Sequence, residues 1–146
     1  MAVTIRQAGP GDERAIVALV REFVREEGYP EVVDEEYVRH YLASPVCGVL
    51  LAWDGDAAVG TVTYAMVPGL FHAADSGLIE TLFVTAASRE QGTGRQLMQA
   101  VLRLLEDAGC AEISVSTGAD NEVAQRLYCD LGLTEASVLL EKHVAR

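Results

Sequence analysis

The sequence predicts a single α/β layered domain, residues 1–146, with helices on both faces of a mixed central sheet. Two segments of helical period open the chain, strand-period segments follow, and strand and helix then alternate. Asp54-Gly55-Asp56 lies between two apolar, β-rich runs and marks a hairpin. A chain of 146 residues that is 50% apolar fits one domain with an aliphatic core.

Val3 to Arg6 is a short β-rich start closed by Ala8-Gly9-Pro10-Gly11. Asp12 stands where an N-cap belongs, ahead of a helix with Ile16, Leu19, Val20 and Phe23 along one side. Gly28-Tyr29-Pro30 ends that helix. Asp34 begins a shorter one carrying Tyr37, Val38, Tyr41 and Leu42. It stops at Ser44-Pro45, because the residue before a proline is pushed out of the helical region. Val46–Trp53 and Ala57–Val67 form the arms of the hairpin, and Pro68 to Gly77 reads as a loop.

Leu78 to Thr85 is dense in apolar residues, the pattern of a strand buried on both faces. A helix after Gly94 runs through Leu97, Met98, Val101, Leu102, Leu104 and Leu105 to Ala108-Gly109. Ile113 and Val115 alternate with polar residues in the next strand. The last helix aligns Ala124, Leu127, Tyr128 and Leu131, with Gly132 at the C′ position. Val138 to Val144 reads as a closing strand. The expected order is β-α-α-β-β-β-α-β-α-β.

A net charge of -11 argues against nucleic acid or anionic membrane as a partner, since both reward a basic surface. Cys47, Cys110 and Cys129 form no CxxC pair, so neither a disulfide framework nor a zinc site is expected, and no metal. The segment Met1-Ala-Val-Thr-Ile-Arg has no leader pattern and no apolar run approaches ~18 residues, so a cytoplasmic location is expected.

The sharpest local feature is strand, then Arg89-x-x-Gly92-x-Gly94, then helix. Glycines there let the main chain approach a ligand, and the first-turn N–H groups favour an anion. A Walker loop needs a lysine that is absent, and a dinucleotide fingerprint needs a third glycine where Leu97 stands. A pyrophosphate loop of a third type and a simple strand-to-helix turn both remain open at this point.

The run Phe83-Val84-Thr-Ala-Ala-Ser-Arg89-Glu-Gln-Gly92-Thr-Gly94 resembles the acetyl-CoA loop of the GCN5-related N-acetyltransferase (GNAT) family. Asn121-Glu-Val-Ala124-Gln-Arg-Leu127-Tyr128-Cys-Asp-Leu131-Gly132-Leu133 is similar to the family's Asn-x-x-Ala-x-x-Leu-Tyr-x-x-Leu-Gly-Phe segment. The opening Ile-Arg-x-Ala and the Asp12–Phe23 helix extend the likeness over nearly the whole chain. Two departures stand out: Glu90 where the family often has glycine, and Leu133 in place of phenylalanine.

The resemblance implies a GNAT-like acyl-CoA N-acyltransferase fold, with acetyl-CoA as co-substrate. It implies that Arg89, Glu90, Gln91, Gly92, Thr93, Gly94 and Arg95 cradle the pyrophosphate, and that the main chain of Leu82, Phe83 and Val84 meets the pantetheine arm. Asn121 is expected at the pantetheine or phosphate, or simply as a helix cap. Tyr128 is placed near the sulfur as general acid, against the bland alternative of a wet-tipped core residue. Glu80, a lone carboxylate in an apolar strand, is the candidate base. Burial there would raise its pKa. His72 is the rival base, and a covalent route through Cys110 or Cys129 is the minor mechanistic alternative.

The first two helices carry Glu22, Glu26, Glu27, Glu31, Asp34, Glu35 and Glu36, which suggests a small cationic amine as acceptor. A protein N-terminal or lysine acetyltransferase and a non-catalytic CoA-binding regulatory module are the competing readings. Exposed edge strands admit a homodimer.

Overall fold

The computed structural model describes residues 2–146; Met1, which belongs to the segment inspected for a leader, lies outside the described residues. Its elements are β1 (Thr4–Gln7), α1 (Glu13–Glu26), α2 (Glu35–Ala43), β2 (Cys47–Asp54), β3 (Ala57–Gly69), β4 (Ala74–Val84), a single 3-10 turn (Ala86–Ser88), α3 (Thr93–Asp107), β5 (Glu112–Val115) and α4 (Glu122–Asp130). The strands lie in the order β1-β2-β3-β4-β5. Every neighbouring pair is antiparallel except β4 and β5, which run parallel.

Period-two alternation along β2 divides the interior. Leu50 and Ala52 face a cluster with Leu97, Met98, Val101 and Leu105 of α3 and Tyr128 of α4. Val49 and Leu51 face Ile16, Val17 and Leu19 of α1 and Val38 of α2. Helices therefore cover both faces, as the sequence predicts. The α3 residues Leu97, Met98, Val101 and Leu105 are fully enclosed (0% exposed), so truncating one to alanine costs ~2–5 kcal/mol.

Two bulges interrupt the ladder. The β2–β3 register slips at Val59, since Ala52 faces Gly60 while Trp53 faces Ala58. The β3–β4 register slips at Glu80, since Tyr64 faces Ile79 while Thr63 faces Thr81. An extra residue reverses the side-chain phase beyond it. Ile79 accordingly points into the α3 cluster, whereas Phe83 packs with α1 and α2.

The N-caps expected for the first two helices lie in place, but only one of these two caps with its side chain. Asp34 accepts from Tyr37 N–H at 2.8 Å. Asp12 instead pairs with Arg6 through two contacts of 3.1 Å and accepts from Gly9 N–H at 2.9 Å, tying β1 to the entry of α1.

Three expectations need correction. The stretch from Pro68 to Gly77 is no loop: β3 and β4 continue through most of it, leaving a turn at residues 70–73. β4 is not buried on both faces, because α1 and α2 leave Leu78 and Glu80 uncovered. The closing strand expected over Val138–Val144 is absent; residues 134–146 carry no regular structure in the single chain.

Candidate active site

Parallel pairing between β4 and β5 covers Ser76 to Ile79 and stops there. Beyond the bulge, β4 keeps β3 on one side and has a free edge on the other. Thr85 N–H donates to Val59 O on the β3 side. By the two-residue period, the main-chain groups of Leu82 and Val84 point to the free edge and those of Phe83 toward β3. Sequence reasoning anticipated this stretch of main chain but had no means of seeing where β5 diverges.

The loop after β4 has the geometry of an anion nest. Glu90 (φ 63°) and Gly92 (φ 81°) are both left-handed, and Gly92 is the N-cap residue of α3. Gln96 N–H reaches Gly92 O at 3.0 Å, whereas no acceptor within the described residues engages the N–H groups from Gln91 to Arg95. Successive unpaired donors at a helix N-terminus suit a diphosphate. Gly92 needs its missing side chain for its dihedral. Gly94 does not: an added Cβ would meet Val84 and Leu82 only at 3.9 and 4.0 Å, ordinary contact distances. The chain's own packing therefore leaves the space over Gly94 free for a ligand, and the nest and open edge fit the pyrophosphate and arm of acetyl-CoA.

Arg89 does not point into the nest. Its Nε donates to Val84 O at 2.9 Å and its Nη2 contacts both oxygens of Glu26 at 2.8 and 2.9 Å. The guanidinium also lies over the Phe83 ring, 5.4 Å from its centroid. It bolts the loop to β4 and α1. Arg95 reaches Asp130 of α4 at 3.4 Å, joining the start of α3 to the end of α4.

Tyr128 is 8% exposed and packs in the α3 cluster beside Leu97 and Met98. Burial pushes its phenol above the usual tyrosine range, which keeps it protonated through neutral pH. Its hydroxyl makes no hydrogen bond within the described residues. The only wholly enclosed polar side-chain atom there without a partner is Trp53 Nε1, so the Tyr128 oxygen retains open surface. A Schellman ending fixes the helix beneath it. Leu133 N–H reaches Tyr128 O at 3.0 Å and Gly132 N–H reaches Cys129 O at 3.1 Å, with Gly132 at φ 100°. Asn121 caps α4, accepting from Ala124 N–H at 3.1 Å, which accounts for the residue without a ligand.

Glu80 sits on the bulge and is exposed, so the burial invoked to perturb it is lacking. Bulges re-aim side chains beside functional sites. A neighbour the sequence reading passed over is Tyr41 of α2, whose hydroxyl donates to Tyr64 O at 3.0 Å. Burial first, and the charge of Glu80 second, push its phenol well above the ordinary range. Tyr41 was legible only as part of an apolar helix face.

His72 is in the β3–β4 turn, 3.4 Å from Glu112 of β5, and eight residues along the chain from Glu80. Residues 74–80 of β4 alone extend on the order of 20 Å, so His72 does not share its site. Burial, then the charge of Asp75, raise the Cys110 thiol and make it a poorer nucleophile. Cys129 is exposed.

An open β4 edge leading into a nest of unpaired N–H groups suits a ligand that carries a diphosphate. The chain belongs to the acetyltransferase (GNAT) family, whose model matches residues 16–133. Aminoglycoside N(6′)-acetyltransferase type 1 of Salmonella typhimurium is 33% identical over 57 residues, a segment covering 39% of this chain and 39% of that protein. A crystal structure described as a transcriptional regulator from Bacillus halodurans superposes with a TM-score of 0.85 at 25% identity, over 98% of this chain and 100% of the other. An aminoglycoside acetyltransferase from an uncultured soil metagenomic sample, in complex with trehalose, gives a TM-score of 0.87 at 20% identity over 99% and 97% of the two chains. An aminoglycoside N-acetyltransferase in complex with CoA gives 0.83 at 20% identity over 98% and 95%. At these identities the two acetyltransferase structures speak to fold.

Proposed function

We propose that this protein transfers an acetyl group from acetyl-CoA directly to a primary amine, with a small cationic molecule as acceptor. The observation that carries this reading is the run of unpaired N–H groups from Gln91 to Arg95 at the end of the open β4 edge. A pyrophosphate held there directs the pantetheine arm along Leu82–Val84 toward the bulge.

In this mechanism the free-edge N–H groups of β4 hold the pantetheine and polarise the thioester carbonyl. Glu80, exposed on the bulge, takes a proton from the ammonium directly or through water. The neutral nitrogen then attacks the carbonyl carbon and forms the C–N bond, and the nitrogen gives its second surplus proton to solvent as the tetrahedral intermediate collapses to the amide. As the C–S bond breaks, Tyr128 supplies the proton that the thiolate accepts, and the phenolate is reprotonated from solvent. Alignment of the two reactants supplies much of the rate.

Partial sequence relationship to an aminoglycoside acetyltransferase supports a small polycationic acceptor. The acidic helices support it less fully than their composition suggests. Glu26 is paired with Arg89, Glu31 with Arg25 and Glu13 with Arg39, while Asp34 caps α2. Glu22, Glu27, Glu35 and Glu36 make no ion pair among the described residues and supply the remaining field. A reducing cytoplasmic setting, with free cysteines and acetyl-CoA at hand, belongs to the same reading.

Following CoA thiol release with polyamines, aminoglycosides, amino acids and peptides tests this assignment. Turnover restricted to small polycations is expected. Turnover of peptides alone moves the function to protein acetylation, and tight acetyl-CoA binding without release on any amine identifies a non-catalytic module.

A further inference from the structure

Tyr41 reaches from α2 onto the sheet beside the bulge, and the mechanism above leaves its oxygen unused. Val38, 3% exposed, anchors α2 in the core, and Tyr41, one turn further on, follows the same side of the helix and is half-buried. Its hydroxyl donates to Tyr64 O at 3.0 Å. Tyr64 faces Ile79 while Thr63 faces Thr81, so Tyr64 is one of the two β3 residues that bracket the extra residue Glu80. The phenol therefore lies over β3 at the level of the bulge. Thr63, which pairs with Val49, stands on the same α1–α2 face of the sheet.

A phenol has one hydrogen to donate and two lone pairs to accept with. The hydrogen of Tyr41 is committed to Tyr64 O, and burial, followed by the charge of Glu80, keeps it on the oxygen through neutral pH. Toward a ligand this oxygen can only accept. Even with the neighbouring Thr63 hydroxyl on one lone pair, the other is left. The Glu80 carboxylate, exposed on the bulge, accepts as well. Two accepting groups at one level of the sheet suit a head that donates in several directions. An alkyl ammonium carries three N–H groups, whereas a hydroxyl has a single hydrogen to share between two acceptors.

We propose that Tyr41 is a specificity-determining residue for the acceptor: its oxygen accepts one N–H of the primary ammonium whose proton Glu80 takes. The assignment rests on the acetyl-transfer reading above and names the group that recognises the reacting nitrogen. Tyr41 neither gains nor loses a proton, so the covalent step is unchanged. After Glu80 has taken one proton, the neutral primary amine keeps one N–H on Tyr41, which limits rotation about the C–N bond and steadies the lone pair for attack. Selectivity for an amine over an alcohol follows, because an alcohol that satisfies Glu80 leaves the Tyr41 oxygen without a donor.

Calorimetric titration of putrescine and of kanamycin into the CoA-saturated protein tests this without turnover, since CoA has no acetyl group to transfer. Tyr41→Phe is expected to raise the Kd of the bound probe about tenfold, the worth of one hydrogen bond to a charged group, with acetyl-CoA affinity unchanged. Its kcat at saturating amine is expected to stay within about threefold of the parent. Equal probe affinity in parent and variant overturns the assignment. So does a large fall in kcat at unchanged probe Kd, which would mean that Tyr41 only holds the bulge. Replacing Tyr41 by 3-fluorotyrosine keeps the hydroxyl and its bond to Tyr64 O but makes the oxygen a poorer acceptor. This variant is expected to weaken probe binding severalfold even if the phenylalanine variant folds poorly, and unweakened binding overturns the assignment. A parent that binds neither probe overturns the small-cation reading together with this one, whereas a parent that acetylates a probe as well as Tyr41→Phe does overturns this one alone.

Discussion

Arg89 grips Glu26 from across 63 positions of sequence, contacting both carboxylate oxygens at 2.8 and 2.9 Å while its Nε holds Val84 O. The family-pattern arginine thus braces the loop between β4 and α3 against α1. Because the pair is exposed, its direct worth is at most ~1 kcal/mol. Arg89→Ala is therefore expected to lower Tm by only ~2–4 °C. Calorimetry is expected to show acetyl-CoA binding weakened severalfold, with Glu26→Gln reproducing part of the loss. An unchanged affinity in both variants contradicts the bracing role.

Glu90 is the departure from the family pattern that matters for energy. Its left-handed dihedral costs an L-residue ~1–2 kcal/mol, part of which glycine would return as chain entropy. Glu90→Gly is expected to stabilise the fold by at most ~1 kcal/mol in denaturant melts. It is also expected to tighten acetyl-CoA binding severalfold at low ionic strength, with the gain shrinking as salt is added. A gain independent of salt would assign the effect to strain alone.

Gly94 separates folding from binding. A methyl group there meets only ordinary contacts within the chain, so Gly94→Ala is expected to leave Tm within ~2 °C of the parent. Gly94→Val is expected to raise the acetyl-CoA Kd at least tenfold by filling the approach to the first-turn N–H groups. Equal affinity in parent and valine variant, measured by titration calorimetry, argues against ligand occupancy of the nest.

Tyr128→Phe tests the acid. The expected outcome is a fall in kcat of roughly 10²-fold, with the acetyl-CoA Kd changed by less than about threefold. Burial holds the folded phenol above its unfolded pKa, so the proton is retained at neutral pH and is lost only as pH rises toward the higher folded value. The same shift favours the folded state below pH ~10 relative to more alkaline conditions. An alkaline fall in the parent's kcat that persists unchanged in the variant would assign that limb to another group.

Asp12 supplies a low-pH signature. Its bond to Arg6, followed by that to Gly9 N–H, holds the carboxylate below its ordinary pKa against an opposing cost of burial. Its contribution is present above the unfolded value of ~3.9 and is lost as pH falls through the lower folded value. Asp12→Asn is expected to cost ~1 kcal/mol at pH 7, with the gap to the parent closing below pH 4. Urea melts across that range provide the measurement.

Much of the scaffold was legible because its signals are local. Hairpin chemistry at Gly55, the helix stripe from Ile16 to Phe23 and the C′ glycine at Gly132 depend on neighbours a few positions away. Gly92 and Gly94 were legible as a pair, but only coordinates separate a glycine needed for its dihedral from one that leaves room for a ligand. The free β4 edge, the bracing of Arg89 by Glu26 and the approach of Tyr41 to Glu80 depend on distant chain segments, so no spacing rule exposes them. The missed last strand has a different cause. β-propensity near Val138 predicts a strand, yet a strand also requires a paired neighbour, and no main-chain hydrogen bond joins residues 134–146 to the sheet.

One extra residue at Glu80 lets a single strand serve two cores, with Ile79 committed to one and Phe83 to the other. Removing that residue would restore uninterrupted alternation and exchange the inward and outward halves of everything downstream. The loop after β4 would then leave the sheet rotated by half a turn, carrying its unpaired N–H groups to the opposite face. Length between residues 79 and 83 is thus as strict a requirement as residue identity, and homologous replacements there are expected to tolerate substitution far better than deletion.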